Sequence, residues 1–425
     1  MGSSASEVRD AQSCLLHGAR MLVRGRLLRR DILIERGKFS RVFKASKSAQ
    51  FSGGRMDCRN LIALPGLIDA HVHFREPGSS HKEDWYTGSA AAAAGGVTTV
   101  LDMPNTLPPT LTFAELERKR GLARKSLVDY GFHLGASLAH PNACADHPLL
   151  EQVAGVKFYF NETTGNLRIA LYDNGRDRVT SMMRALVKSR VPAVLHAEGN
   201  AARDALELVR RAGCSAVVAH TPGRAELSHI AEARSRGASV RCEVAPHHLF
   251  LSKENLRQLG TFAVMKPPLG SRLDQTALWD AVRSRTADLI ASDHAPHTSA
   301  EKLLDKAPFG VPGLETTLPL LLDAQHRGLL SLQDIQRLCS ESPASVFGLK
   351  EKGRIAEGFD ADLVLVDPGL EQKVQNGKLH TKCGWSPFHG RLLKGWPVMT
   401  FVRGQLVFRQ GEVLQSSGRE VRYAR

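Results

Sequence analysis

The sequence predicts an α/β chain: a (β/α)8 barrel of the TIM type, with a small β-sandwich domain built from both termini. Through the middle of the chain, short apolar runs alternate eight times with stretches rich in Ala, Leu, Arg and Glu, the pattern of β-α units on a parallel sheet. Those units fit in roughly 285 residues, near the size typical of such a barrel. Both ends instead read as short strands punctuated by glycine.

Taken in order, the N-terminal part gives strands at Cys14–His17, Arg20–Val23, Asp31–Glu35 and Ser40–Phe43, with turns at Gly18, Gly25 and Gly37. The barrel strands follow at Leu61–His71, Val97–Met103, Val128–Gly135, Gly155–Phe160, Pro192–His196, Ala216–His220, Ser239–Val244 and Asp288–Asp293. Between them, Thr112–Ser126, Ser181–Ser189, Ala202–Ala212, Arg224–Arg236 and Gln275–Ser284 have helical composition. The chain closes on strands Ala361–Val366, Val398–Arg403 and Gln405–Phe408, turning at Gly404 and Gly411. The expected division is a first β-sandwich part over 1–60, the barrel over 61–349, and the second β-sandwich part with a tail over 350–425.

Composition narrows the class. The 42% hydrophobic and 24% charged residues are ordinary globular usage, and no apolar run is long enough to span a bilayer. Met1 to Gln12 lacks an apolar signal core, and seven cysteines without Cys-x-x-Cys spacing suit a reducing compartment, so a cytoplasmic protein is expected. The net charge of +14 raises nucleic acid as a partner. Much of that excess lies in the first 60 residues, with 13 Lys+Arg against 5 Asp+Glu, and no nucleic-acid motif accompanies it. A basic surface serves equally to draw in small anions.

The chemistry collects at strand ends, where barrels of this kind keep their active sites. His71 and His73, one residue apart on an extended chain, face the same way and can grip one metal ion, and Arg75 continues along that side. Lys157, His196, His220 and Asp293 stand at or near the ends of four other predicted strands. Lys157 lies in the apolar run Gly155-Val156-Lys157-Phe158-Tyr159, where an unpaired ammonium is costly. If its amine has added carbon dioxide, the carbamate can bridge two metals. Four histidines, that carbamate and Asp293 suffice to hold two zinc ions with a hydroxide between them, and zinc lowers the pKa of water towards neutrality.

Two motifs, Asp69-Ala70-His71-Val72-His73-Phe74-Arg75-Glu76-Pro77 and Ala291-Ser292-Asp293-His294-Ala295-Pro296-His297 followed by Lys302, resemble the signatures of dihydroorotases in the amidohydrolase superfamily. Met103-Pro104-Asn105-Thr106, Lys157 to Thr163, His196-Ala197-Glu198, Glu243 to Leu251 and Gly313 to Thr316 match as well. Their wording is nearest to the dihydroorotase domain of the animal multifunctional pyrimidine-synthesis polypeptide, over about residue 60 to 425.

The resemblance implies a dihydroorotase, which reversibly cyclises N-carbamoyl-L-aspartate to L-dihydroorotate and water in pyrimidine biosynthesis. It implies that His71, His73, Asp293 and carboxylated Lys157 hold one zinc, and that Lys157, His196 and His220 hold the other. Arg75, Asn105 and His297 would bind the substrate's carboxylate, backbone groups near Phe309 and Gly310 its ureido and amide edges. Asp293 would be the proton shuttle, and Thr163, in a mobile lid over Asn161 to Asn166, a donor to substrate. A homodimer follows by resemblance alone, and association with other pathway enzymes stays open. Three departures stand out: Ala219 replaces a cysteine tied to a third metal beside Glu243, Lys266 replaces a substrate-contacting arginine, and Thr164 replaces a phenylalanine. The competing readings are an allantoinase or hydantoinase, disfavoured by Arg75 and Asn105, and a metal-free scaffold of the same fold, disfavoured by the full ligand set.

Overall fold

The computed structural model describes residues 13–45, 53–145, 147–165, 167–172 and 174–425. The expectations for Met1 to Gln12, and for Asn166 at the end of the lid, lie outside the described residues. The strands at the N-terminal side are β1 (Ser13–Val23), β2 (Arg26–Glu35), β3 (Lys38–Lys44), β4 (Gly54–Asp57) and β5 (Ile62–Pro65). The barrel strands are β6 (Leu67–Val72), β7 (Val97–Asp102), β8 (Asp129–Gly135), β9 (Gly155–Tyr159), β10 (Ala193–His196), β11 (Ala216–Val218), β12 (Val240–Val244) and β13 (Leu289–Ile290). Then come β14 (Leu363–Lys373), β15 (Leu392–Val402), β16 (Gln405–Arg409) and β17 (Glu412–Val413).

Strands β6 to β13 pair in sequence order, each parallel to the next, and a bridge from Val72 to His294 brings the last strand's continuation back to the first. This is the predicted barrel. Its inner faces are lined by Ile68, Ala70, Leu101, Val194, Val217 and Leu289, while the outward faces pack on the surrounding helices in the largest core cluster. The two ends of the chain meet in one nine-stranded mixed sheet, ordered β17-β16-β15-β14-β5-β1-β2-β3 with β4 also on β1. It keeps its own core around Ile32, Ile34, Phe39, Leu363 and Phe401.

The expected single strand Leu61–His71 is two strands, because β5 belongs to the terminal sheet and β6 to the barrel. They part at Gly66, where a Cβ would come within 2.2 Å of Thr98 Oγ1, so only glycine lets the chain pass. Conversely, Cys14–His17 and Arg20–Val23 are one strand carrying a bulge between Leu16 and Ala19, which Gly18 accommodates at φ 73°. The expected strands to His220 and Asp293 stop early, at Val218 and Ile290. Both residues hold left-handed backbone, φ 35° and 48°, which ends the ladder and turns the side chains onto the rim.

All five expected helices are present. Two that were not foreseen are Trp85–Ala94 and Leu314–His326, which bury most of their residues, so that no continuous polar stripe marks them. The first starts at Asp84, whose carboxylate accepts from the Tyr86 and Thr87 amides at 2.9 Å. The seven cysteines are free and buried, and no helix among the described residues is long and apolar enough to cross a membrane.

Candidate active site at the strand ends

β6 delivers its two histidines by simple alternation. His71 Nδ1 lies 2.8 Å from Glu243 Oε1 and His73 Nδ1 lies 2.7 Å from Asn105 Oδ1. Donating there leaves each ring's Nε2 lone pair turned to the barrel mouth, an arrangement that orients histidine for a metal. His73 Nε2 stands 3.1 Å from Asp293 Oδ1 and His71 Nε2 stands 3.5 Å from the same oxygen. The coordinating atoms of His71, His73 and Asp293 all lie within 4.8 Å of one another. Asp69 braces this end from below, accepting the backbone N–H of His71 at 3.2 Å and of Ser292 at 3.1 Å.

Across the mouth, Lys157 brings its Nζ to 3.5 Å from His71 Nε2, and His196 Nδ1 faces His220 Nε2 at 2.9 Å. Two facing imidazole nitrogens hold at most one proton between them. The other nitrogens, His196 Nε2 and His220 Nδ1, are buried without a hydrogen-bond partner among the described residues, as is Glu243 Oε2. Glu243 is committed on its other oxygen, which also accepts the His220 N–H at 3.0 Å.

Burial sets the protonation states. It pushes all four histidines below their ordinary value, so their lone pairs are free to bind a cation at neutral pH. It lowers Lys157 too, opposed by Glu243 and Asp293, and raises Glu243, opposed by Lys157. For Asp293 burial acts upwards, but its neighbours His73, His247 and Lys157 outweigh it and hold the carboxylate below its ordinary value. Neutral imidazoles, an ionised carboxylate and a lysine driven towards its free amine suit a divalent cation such as zinc.

A pocket opens directly above, lined by twelve of the thirteen predicted site residues: His71, His73, Arg75, Asn105, Lys157, Thr163, His196, His220, Lys266, Asp293, Phe309 and Gly310. Arg75 is 5% exposed yet makes no ion pair among the described residues. Its guanidinium donates to Pro296 O at 3.1 Å, and burial pulls it down to about 10. Its backbone is left-handed, φ 61°. Asn105 donates to Thr164 O at 3.0 Å and the Thr164 hydroxyl donates to Phe309 O at 3.2 Å, so the 161–165 segment lies pinned across the opening. Lys266 stands 5.6 Å over the Phe309 ring and 4.0 Å from Glu198.

The thirteenth residue, His297, is not in the pocket wall. It is buried behind Arg75, with Nε2 2.9 Å from Phe309 O and 3.1 Å from Arg75 Nη2, and Nδ1 3.2 Å from Lys82 Nζ. Desolvation first, then Arg75 and Lys82, push it down to about 2, so it is a neutral prop for the arginine. Lys302 is another prop the sequence reading left without a role: its ammonium donates to Val264 O, Pro308 O and Gly310 O at 2.8, 2.8 and 3.1 Å, fixing the loop that carries Phe309 and Gly310. Tyr159 also lines the pocket and was not singled out. The signal was there, since Tyr159 is two residues from Lys157 on one strand.

The sequence pattern of the amidohydrolase family matches residues 62–407. The chain is 40% identical to a dihydroorotase of Halobacterium salinarum, over 92% of its own length and 96% of that protein. It is 36% identical to part of the multifunctional protein CAD of Squalus acanthias, over 85% of its own length and 16% of that polypeptide. Among solved structures it resembles the L-hydantoinase (dihydropyrimidinase) of Arthrobacter aurescens, with TM-score 0.90 and 26% identity over 96% of this chain and 99% of that one.

Proposed function

The chain belongs to the amidohydrolase family and within it to the dihydroorotases, and on that premise we propose that it interconverts L-dihydroorotate and N-carbamoyl-L-aspartate with two zinc ions at the barrel mouth. His71, His73 and Asp293 would hold one, His196 and His220 the other, with Lys157 carboxylated on Nζ and shared between them. The zinc ions supply a hydroxide at neutral pH and polarise a carbonyl. Ala219 is buried and offers no ligand, which supports two ions rather than three.

The chain's own residues do the rest. Arg75 forks onto the ring carboxylate, and Asn105 exchanges the Thr164 carbonyl for it when the 161–165 segment lifts. His297 acts through Arg75 by fixing its guanidinium. Main-chain groups at Phe309 and Gly310, steadied by Lys302, hold the ureido and amide edges, and Thr163 closes over them and excludes water. In hydrolysis Asp293 takes the nucleophile's proton on a carboxylate oxygen and delivers it to the ring nitrogen as the C–N bond breaks. Cyclisation runs the same transfers backwards. A homodimer, a cytoplasmic setting and association with neighbouring pathway enzymes belong to this reading; the last is supported by the long multifunctional relative.

The observation that carries the substrate assignment is Arg75: a buried cation beside the metal ligands with no acid of its own is a place kept for a carboxylate. A hydantoinase has no use for it. The purified zinc-loaded protein should therefore hydrolyse dihydroorotate and leave dihydrouracil untouched, as followed by ultraviolet absorbance. Comparable turnover of dihydrouracil, hydantoin or allantoin would overturn the assignment.

A further inference from the structure

Phe158 and Tyr159 end β9 and Phe160 follows directly, and alternation divides the three. Phe158 and Phe160 turn outward into the core under the helices, their rings stacked 6.2 Å apart. Tyr159 turns inward, to the pocket. The one ring of the three that carries a hydroxyl is the one that faces the site.

That hydroxyl has no hydrogen-bond partner among the described residues, although Tyr159 is only 1% exposed. Buried hydroxyls are seldom left unpaired, because desolvating one without compensation is costly and phenylalanine fills nearly the same space. The ring is held on both sides, 5.6 Å from the Lys157 ammonium and 6.0 Å from the His196 ring. Burial first, then the charges of Asp293 and Asp102, hold the hydroxyl above its ordinary value, with Arg75 opposing them. The pocket that Tyr159 lines is shared with Arg75 and Asn105. Asp102 is already engaged by the Phe74 N–H at 2.8 Å and by the Lys119 ammonium.

We propose that the Tyr159 hydroxyl is a donor to the substrate's carboxylate, completing with Arg75 and Asn105 the seat that selects a carboxylated ring. The inference rests on the dihydroorotase reading. It adds a neutral donor to a buried cation, so the carboxylate is gripped without a second positive charge being desolvated.

Tyr159→Phe, prepared with zinc, tests it. The variant should keep its zinc, melt at the wild-type temperature or slightly above, and hold kcat within about threefold, while KM for dihydroorotate rises roughly tenfold or more, the effect of losing a charge-assisted hydrogen bond. Inhibition by orotate, a planar ring with the same carboxylate, should weaken by a similar factor. Loss of zinc with KM unchanged once zinc is restored would mean that the hydroxyl serves the metal-side lysine, and would overturn the proposal. So would unaltered KM and orotate inhibition. If wild type itself fails to turn over dihydroorotate, the dihydroorotase reading falls first; if wild type is active and the variant is indistinguishable, only the role of Tyr159 falls.

Discussion

Among the described residues, two sets of three acceptors lie close enough to share a cation: His71, His73 and Asp293 at the mouth of the barrel, and Asp129, Asp360 and Asp362 at its opposite end. In the second set the cation is built in. The Lys352 ammonium, 4% exposed, sits 2.5, 2.9 and 2.7 Å from Asp129, Asp360 and Asp362, and Arg403 pairs with Asp129 from the other side. The first set is unfinished: beside it, among the described residues, His196 Nε2, His220 Nδ1 and Glu243 Oε2 have no hydrogen-bond partner and Arg75 has no anion. A buried charge cluster that serves the fold neutralises itself, whereas one that serves a ligand leaves valences for the ligand to fill. The two clusters should therefore fail in opposite ways.

The largest effect belongs to Asp293→Asn. It keeps the shape and an oxygen donor but removes the base, so turnover should fall by about 10²–10⁴-fold with the melting temperature and most of the zinc retained. Residual turnover above about a tenth would send the proton through a water instead.

Lys352→Met should do the reverse, lowering unfolding free energy by about 3–5 kcal/mol in urea titrations while the folded fraction turns over at the wild-type rate. The pH dependence follows from the pairing. Burial opposes the charge on Lys352, but Asp362 and Asp360 outweigh it and hold the ammonium above its ordinary 10.5, so its contribution is complete below that value and lost as pH rises through the higher folded one. Asp360 is held below 3.8, burial again being outweighed by Lys352, so its contribution is present above 3.8 and lost as pH falls through the lower folded value. The stability gap between wild type and Lys352→Met should stay constant from about pH 5 to 9 and narrow in stronger acid. A gap confined to neutral pH would mean the cluster is not paired as described.

The smallest effect sharpens the difference within the site itself. Thr163→Ala removes a hydroxyl of the 161–165 segment that has no hydrogen-bond partner among the described residues, so turnover should drop about tenfold with zinc and melting temperature unchanged. Wild-type rates would confine the work of that segment to Thr164, which ties Asn105 to Phe309.

The contrast between the clusters also marks what could be read in advance. The mouth of the barrel was legible because its side chains follow local rules: His71 and His73 by strand alternation, Lys157 by its place inside an apolar run, His196 and Asp293 by their position at the ends of such runs. The Lys352 cluster joins residues 129, 352, 360, 362 and 403 through contacts that no local period announces. The same limit explains His297, whose motif position said nothing of its facing Arg75 from behind, and Gly66, whose necessity depends on Thr98. It explains the missed Trp85–Ala94 helix, since an element buried over most of its length shows no amphipathic stripe.

The central claim is that the unfinished cluster is completed by metal, and zinc content measured alongside dihydroorotate hydrolysis on the same preparation tests it most directly. The account predicts two zinc ions per chain after loosely held metal is removed, with turnover vanishing on chelation and returning as zinc is restored. Full turnover in the metal-stripped protein would contradict it.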